Sequence, residues 1–146
     1  MKTIILYYSR SGTTRVLADK KATELGADIE EILDIKKPSI FSAIIKALKR
    51  AKTEIQPIKA QLDIYEKIVI MSPVWAGSPV PAVNSVIDCL PSGKKIEFIM
   101  VSMGGGTKDS AARTKEFATA RGCEITGYTD LKAVRKKNEV SSEVLN

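Results

Sequence analysis

The sequence predicts an α/β fold: a doubly wound parallel sheet of five strands with helices on both faces. Three observations lead there. Short apolar runs such as Ile4-Ile5-Leu6 and Ile68-Val69-Ile70 recur between segments whose apolar residues follow helical spacing. Strand and helix patterns alternate with no repeat or low-complexity segment between them, which favours parallel strands joined by right-handed crossovers. The first strand run is apolar nearly throughout, as expected of a central strand covered on both sides.

Taken in order, the first strand is expected over Lys2 to Tyr8. A helix follows from Thr13 to Leu25, with Val16, Leu17, Ala18, Lys21, Ala22 and Leu25 at helical spacing. Gly26 is placed to end it in the left-handed conformation. Ala27 to Asp34 alternates and predicts a second strand nearer an edge. Lys36 to Ser42 is a connection, because Pro38 cannot continue a helix. Phe41, Ile44, Ile45 and Leu48 predict an amphipathic helix reaching Lys52. Thr53 to Tyr65, interrupted by Pro57, carries no clear pattern.

Lys67 to Met71 is the third strand. A helix is expected from Pro81 or Ala82 to Leu90, with proline suited to its first turn and Pro91 and Gly93 ending it. Lys95 to Val101 is the fourth strand. Asp109 to Arg121 is a helix with Ala111, Ala112, Phe117 and Ala118 turned inward, closed by Gly122. Glu124 to Leu131 is the fifth strand. Beyond Arg135 only Val140, Val144 and Leu145 are large and apolar, which leaves a short final helix or a frayed end.

Composition narrows the chemistry. The 146 residues suit one domain over 1–146, able to bury about two-thirds of its unfolded surface. An apolar share of 44% with 27% charged residues argues against extended disorder. There is no histidine, which removes histidine triads, histidine general acids and most zinc sites. Cys89 and Cys123 lack a CxxC spacing and are expected to be small buried residues in a reducing compartment. No run approaches the roughly 20 apolar residues of a membrane span, and the amino end passes directly into a strand. A cytoplasmic protein with no membrane span is expected.

Lysine and arginine number 23 against 17 acidic residues, a net charge of +6 that favours acidic partners and anionic ligands. The charge crowds at Lys36, Lys37, Lys46, Lys49, Arg50, Lys52 and Lys59, and again at Lys132, Arg135, Lys136 and Lys137. The second cluster holds no aromatic residue that could stack on bases and the first only Phe41, on the apolar spacing of the expected helix, so no nucleic-acid partner is expected.

Three loops at the carboxyl ends of strands one, three and four hold the candidate site, the end at which such sheets bind ligands. Ser9-Arg10-Ser11-Gly12-Thr13-Thr14 offers four hydroxyls, a guanidinium and a glycine where the first helical N–H groups lack partners. Either an anion occupies it, or Ser11 or Thr13 merely caps the helix. Ser72-Pro73-Val74-Trp75-Ala76-Gly77-Ser78-Pro79 carries the only tryptophan, either held out to stack on a ring or folded back over the sheet end. Ser102-Met103-Gly104-Gly105-Gly106-Thr107 lets backbone approach a planar ligand edge, or is a flexible turn. Together the loops describe a ligand with an anionic end and a flat apolar end.

On these residues the chain resembles the flavodoxin and flavodoxin-like proteins over almost its whole length. Ser9-x-Ser11-Gly12-x-Thr14 matches the family's phosphate loop, S/T-x-S/T-G-x-T, at every fixed position. The Ser72 to Pro81 stretch is similar to the loop whose aromatic residue flanks the isoalloxazine. Ser102 to Thr107 matches by place and glycine content. The resemblance implies strand order 2-1-3-4-5, non-covalent FMN, and electron transfer between redox partner proteins by a monomer or weak dimer. It implies cofactor contacts from Ser9, Arg10, Ser11, Gly12, Thr13 and Thr14, from Pro73, Val74, Trp75, Ala76 and Gly77, and from Ser102, Met103, Gly104, Gly105 and Gly106.

Three departures stand out. The chain is basic where family members are commonly acidic. Ala76 follows Trp75, with Gly77 one step later, at the place where many members use a glycine peptide that flips beside the flavin. No aromatic residue follows Gly106, leaving Met103 or nothing against one ring face; an open face suits an FMN-dependent NAD(P)H:quinone-type reductase of the same fold. A flavin-free binding domain is the remaining alternative. A phospho-receiver is excluded, since Tyr7, Tyr8 and Ser72 stand where it needs acidic residues.

Overall fold

The computed structural model describes residues 1–35, 39 and 52–145. The described elements are β1 (Thr3–Tyr7), α1 (Thr13–Leu25), β2 (Asp28–Glu31), a 3-10 turn (Leu62–Ile64), β3 (Lys67–Trp75), β4 (Ser78–Pro79), α2 (Pro81–Asp88), β5 (Lys95–Ser102), α3 (Ala111–Ala120), β6 (Glu124–Lys136) and β7 (Glu139–Val144). The sheet order is β2-β1-β3-β5-β6-β7, with β4 paired to β3. The first five of these run parallel. They are the five expected strands in the expected order. The helix expected over Phe41 to Lys52, and Lys36, Lys37, Lys46, Lys49 and Arg50 of the first basic cluster, lie outside the described residues apart from Lys52.

Alternation along each strand divides the core between the two faces. On one face Ile4, Leu6, Ile68, Ile70, Ile96, Phe98 and Met100 pack with Val83, Val86 and Ile87 of α2 and Ala118 of α3. On the other, Ile5, Val69, Met71, Ile99 and Val101 pack with Leu17, Ala18 and Ala22 of α1. Helices therefore cover both faces, as a doubly wound sheet requires. Gly26 ends α1 at φ 60°, its N–H reaching the Ala22 and Thr23 carbonyls, and Pro81 opens α2. In α1 the buried residues are Thr14, Leu17, Ala18 and Ala22, whereas Val16 and Leu25 are exposed. In α3 they are Thr114 and Ala118, with Ala112 on the outside.

The carboxyl-terminal end differs from expectation. There is neither a final helix nor a frayed tail: β6 continues past Leu131 to Lys136, and Glu139–Val144 returns antiparallel to it as β7. The reversal occurs at Lys137, which adopts φ 53°. β7 is held by its ladder to β6 and by Val140, which packs with the cluster of Leu17 and Ala18 beneath α1. Cys89 is a second correction. It is exposed, while Cys123 is buried as expected.

Candidate functional site

β1, β3 and β5 are neighbours in register, Tyr7 beside Met71, and Met71 beside Ile99. The segments after them must therefore emerge side by side at one edge of the sheet. Each of the three strand ends carries a serine whose oxygen organises the following loop from within. Ser9 Oγ accepts the N–H groups of Gly12 at 3.1 Å and Arg15 at 3.3 Å. Ser72 Oγ accepts Val80 N–H at 3.1 Å and donates to the Pro73 carbonyl. Ser102 Oγ accepts Gly104 N–H and Gly106 N–H, each at 3.2 Å. Backbone N–H groups are satisfied in this way without a ladder partner.

In the first loop Gly12 is the N-cap of α1 at φ 92° and has no side chain to cap it, so the side-chain bond to the first turn is the one Ser9 Oγ accepts from Arg15 N–H. The first turn of α1 contains no acidic residue. Ser11 and Thr13 hydroxyls meet each other at 3.3 Å, and Thr14 is buried. Three guanidinium groups lie nearby, each with a contact within the protein. Arg15 holds Glu31 through both carboxylate oxygens, at 2.7 and 2.6 Å, and donates to Tyr7 Oη. Arg10 lies over the Trp75 ring, 5.6 Å from its centroid. The third is Arg135, whose Nη2 donates to the Ser11 carbonyl at 3.5 Å.

The second loop is tighter than the sequence implied. Pro73, Val74 and Trp75 belong to β3, which turns back through Ala76 and Gly77 onto β4, pairing Trp75 with Ser78. Both turn residues have positive φ, 50° and 73°, the pattern of type I′ hairpins. Ala76 is thus a non-glycine residue in the left-handed region, a strain of about 1–2 kcal/mol that persists where surroundings enforce it. Ser110 Oγ, at the N-cap of α3, donates to the Gly77 carbonyl at 2.7 Å and fixes the hairpin tip. Trp75 is half-buried against the larger core cluster and meets Tyr8 edge-on at 5.8 Å.

Tyr8 is buried, and its hydroxyl donates to Asp34 Oδ2 at 2.6 Å; Thr53 Oγ1 donates to the other oxygen of that carboxylate. Burial, and then the Asp34 carboxylate, push the Tyr8 phenol well above its ordinary value. In the third loop Met103 is exposed, whereas Gly106 and Thr107 are buried. Thr107 Oγ1 donates to Asp130 Oδ1 at 2.8 Å and meets Tyr128 Oη at 2.6 Å. Burial pushes the Tyr128 phenol up to about 12.

The structure therefore brings Ser9 to Thr14, Pro73 to Gly77 and Ser102 to Gly106 to one edge, with Ser11, Ala76, Gly77, Met103, Gly104 and Gly105 exposed at their tips. It adds what the sequence analysis did not assign to the site. Asp130 and Tyr128 of β6 support the third loop, Lys132 approaches Gly104, and Arg135 reaches the first loop. For Lys132 and Arg135 the only signal was the second basic cluster, which resembles any solvated face; Tyr128 and Asp130 carried none. Two grooves lie elsewhere. One, of about 440 Å³, runs between α1, the sheet and β7. Another, of about 680 Å³, lies between residues 55–64 and Cys89–Pro91. Among the described residues no cluster of side chains could hold a metal ion, and no helix is long and apolar enough to cross a membrane.

The family model described as NADPH-dependent FMN reductase matches residues 1–129. The chain belongs to this family. Among solved structures it is similar to a flavoprotein from Lactobacillus acidophilus in complex with FMN. That likeness has a TM-score of 0.75 and 26% identity, covering 88% of this chain and 92% of that one. The NMR structure of the apo-form of the flavoprotein from the same organism matches with a TM-score of 0.72 and 25% identity, over 88% and 91% of the two chains. A Fusobacterium nucleatum flavodoxin bound to flavin mononucleotide shares the fold, with a TM-score of 0.56 and 13% identity over 94% and 74%. No curated protein sequence matches. The fold of the chain is flavodoxin-like.

Proposed function

We propose that this protein binds FMN across the three strand ends and uses it to carry electrons between redox partner proteins. The observation that carries the reading is the first turn of α1. It is free of acidic residues, opened by a glycine that has no side chain to fill the cap, shaped by Ser9 Oγ on the Gly12 and Arg15 N–H groups, and bordered by the Ser11 and Thr13 hydroxyls and by the guanidinium of Arg135. Donors of this kind, at the positive end of a helix dipole, fit a dianionic phosphate. The residues present thus suit the phosphate of FMN. Ser9, Arg10, Ser11, Gly12, Thr13 and Thr14 would hold that end, Ser9 by shaping the loop through its accepted N–H bonds.

The flat end would lie between the Pro73 to Gly77 hairpin and the Ser102 to Gly106 loop. Trp75, braced by Tyr8, supplies apolar surface, and the exposed glycine backbone of the third loop supplies N–H and C=O groups for ring heteroatoms. Bound there, FMN supplies one- and two-electron chemistry; the protein's part is to bind, orient and set the surrounding charge. The net charge of +6 suits acidic redox partners.

A second reading, direct reduction by NADPH, is favoured by the family to which the chain belongs. The FMN-loaded protein mixed anaerobically with NADPH separates the two. Loss of the flavin absorbance within seconds, with no other protein present, supports the reductase. A spectrum that changes only when a reduced partner protein is added supports the carrier.

A further inference from the structure

We infer that Arg135, delivered by the carboxyl-terminal hairpin, is a second cationic partner of the phosphate held at the first loop, and that it sets a preference for phosphorylated over unphosphorylated flavin. The inference rests on the FMN reading above. In sheet order β6 lies three places from β1, too far for a residue in the flat sheet to reach the first loop. The hairpin closes that distance by folding over α1. Val140 packs with Leu17 and Ala18, and Lys20 Nζ donates to the Val140 carbonyl. Arg135 is the cross-strand partner of Val140, and its Nη2 donates to the Ser11 carbonyl at 3.5 Å.

That hydrogen bond is long, and it engages one of five guanidinium donors. Among the described residues no carboxylate pairs with Arg135, whereas Arg15 is held by Glu31. A cation beside the amino end of a helix faces the positive end of the dipole, an unfavourable placement on its own. An anion between the two reverses the sign of that interaction. The planar fork of arginine matches a phosphate with two parallel N–H bonds, so the residue type fits as well as the position.

The test is fluorescence titration of the apoprotein with FMN and, separately, with riboflavin, which lacks the phosphate. Arg135→Gln is expected to raise the Kd for FMN about tenfold, an exposed charge-assisted bond partly screened by salt, and to leave riboflavin unchanged. Arg135→Lys should fall between, keeping the charge and losing the fork. Lys136→Gln removes the same charge from the next position, which points to the other side of the strand, and should leave both affinities as they are.

FMN affinity unchanged in Arg135→Gln overturns the inference, as does equal weakening of FMN and riboflavin, or an equal effect of Lys136→Gln. A wild type that binds FMN no more tightly than riboflavin overturns the phosphate reading itself, and Arg135's part with it. Equal thermal midpoints of the variants exclude loss of the hairpin as the cause.

Discussion

Replacing Gly12 by alanine tests the first loop with two separable readouts. Gly12 sits at φ 92°, and a Cβ built on it meets no atom within 4 Å. The cost is therefore backbone strain alone, about 1–2 kcal/mol for an L-residue in the left-handed region. Part is offset because alanine loses less chain entropy on folding than glycine, by about 0.4–1 kcal/mol. A net loss of about 1 kcal/mol lowers Tm by about 2–4 °C in a chain of this size. The strained peptide relaxes most easily by giving up the Gly12 N–H bond to Ser9 Oγ, which opens the loop. FMN affinity should fall by at least about tenfold, roughly one lost hydrogen bond to a charged group. Gly93→Ala is the matched control. Gly93 has φ 79°, equally open surroundings, and a place before β5 at the opposite end of the sheet. Calorimetry should give similar Tm losses for both variants, and flavin titration should single out Gly12→Ala. Equal flavin affinities in the two variants would refute the placement of the ligand, and a loss above about 3 kcal/mol in Gly12→Ala would refute the claim that strain alone is at stake.

Alkaline pH should destabilise the protein. A phenol whose folded value lies above its unfolded value keeps its contribution below the unfolded pKa, near 10, and loses it as pH rises through the folded value, about 12 for Tyr128. Unfolding free energies from urea titrations between pH 9 and 12 should fall, Tyr128 contributing about 1–2 kcal/mol at the top of that range because its phenol is partly screened by solvent, and Tyr128→Phe should flatten the fall. Thiol labelling of the native protein should modify exposed Cys89 quickly and buried Cys123 only on unfolding, read by mass spectrometry; two fast thiols would contradict the packing of Cys123.

Much of the fold was legible because its signals are local. Apolar runs such as Ile68-Val69-Ile70 can only be buried on both faces, and Gly26 ends α1 as its residue type demands. β7 was not legible, since Glu139-Val140-Ser141-Ser142-Glu143-Val144 has little apolar surface of its own and Lys137 turns the chain without a glycine. Its order comes from β6 and α1. The extension of β3 through Pro73 was hidden for a related reason. Met71 O accepts Tyr8 N–H, so Pro73, two residues on, faces the same side after β1 has ended, and its missing N–H is not required there. In the site, the phosphate-loop motif could be read from spacing. The inward bonds of Ser9, Ser72 and Ser102, the Thr107–Tyr128–Asp130 cluster and the reach of Arg135 depend on neighbours far along the chain.

Amide chemical shifts recorded as FMN is added to the isotopically labelled protein test the central claim most directly. The account predicts saturable shifts at Gly12 to Thr14, Trp75 to Gly77 and Gly104 to Gly106, with riboflavin sparing the first group. Shifts confined to the groove around Leu17, Ile99 and Val144, or no shifts at all, would contradict it.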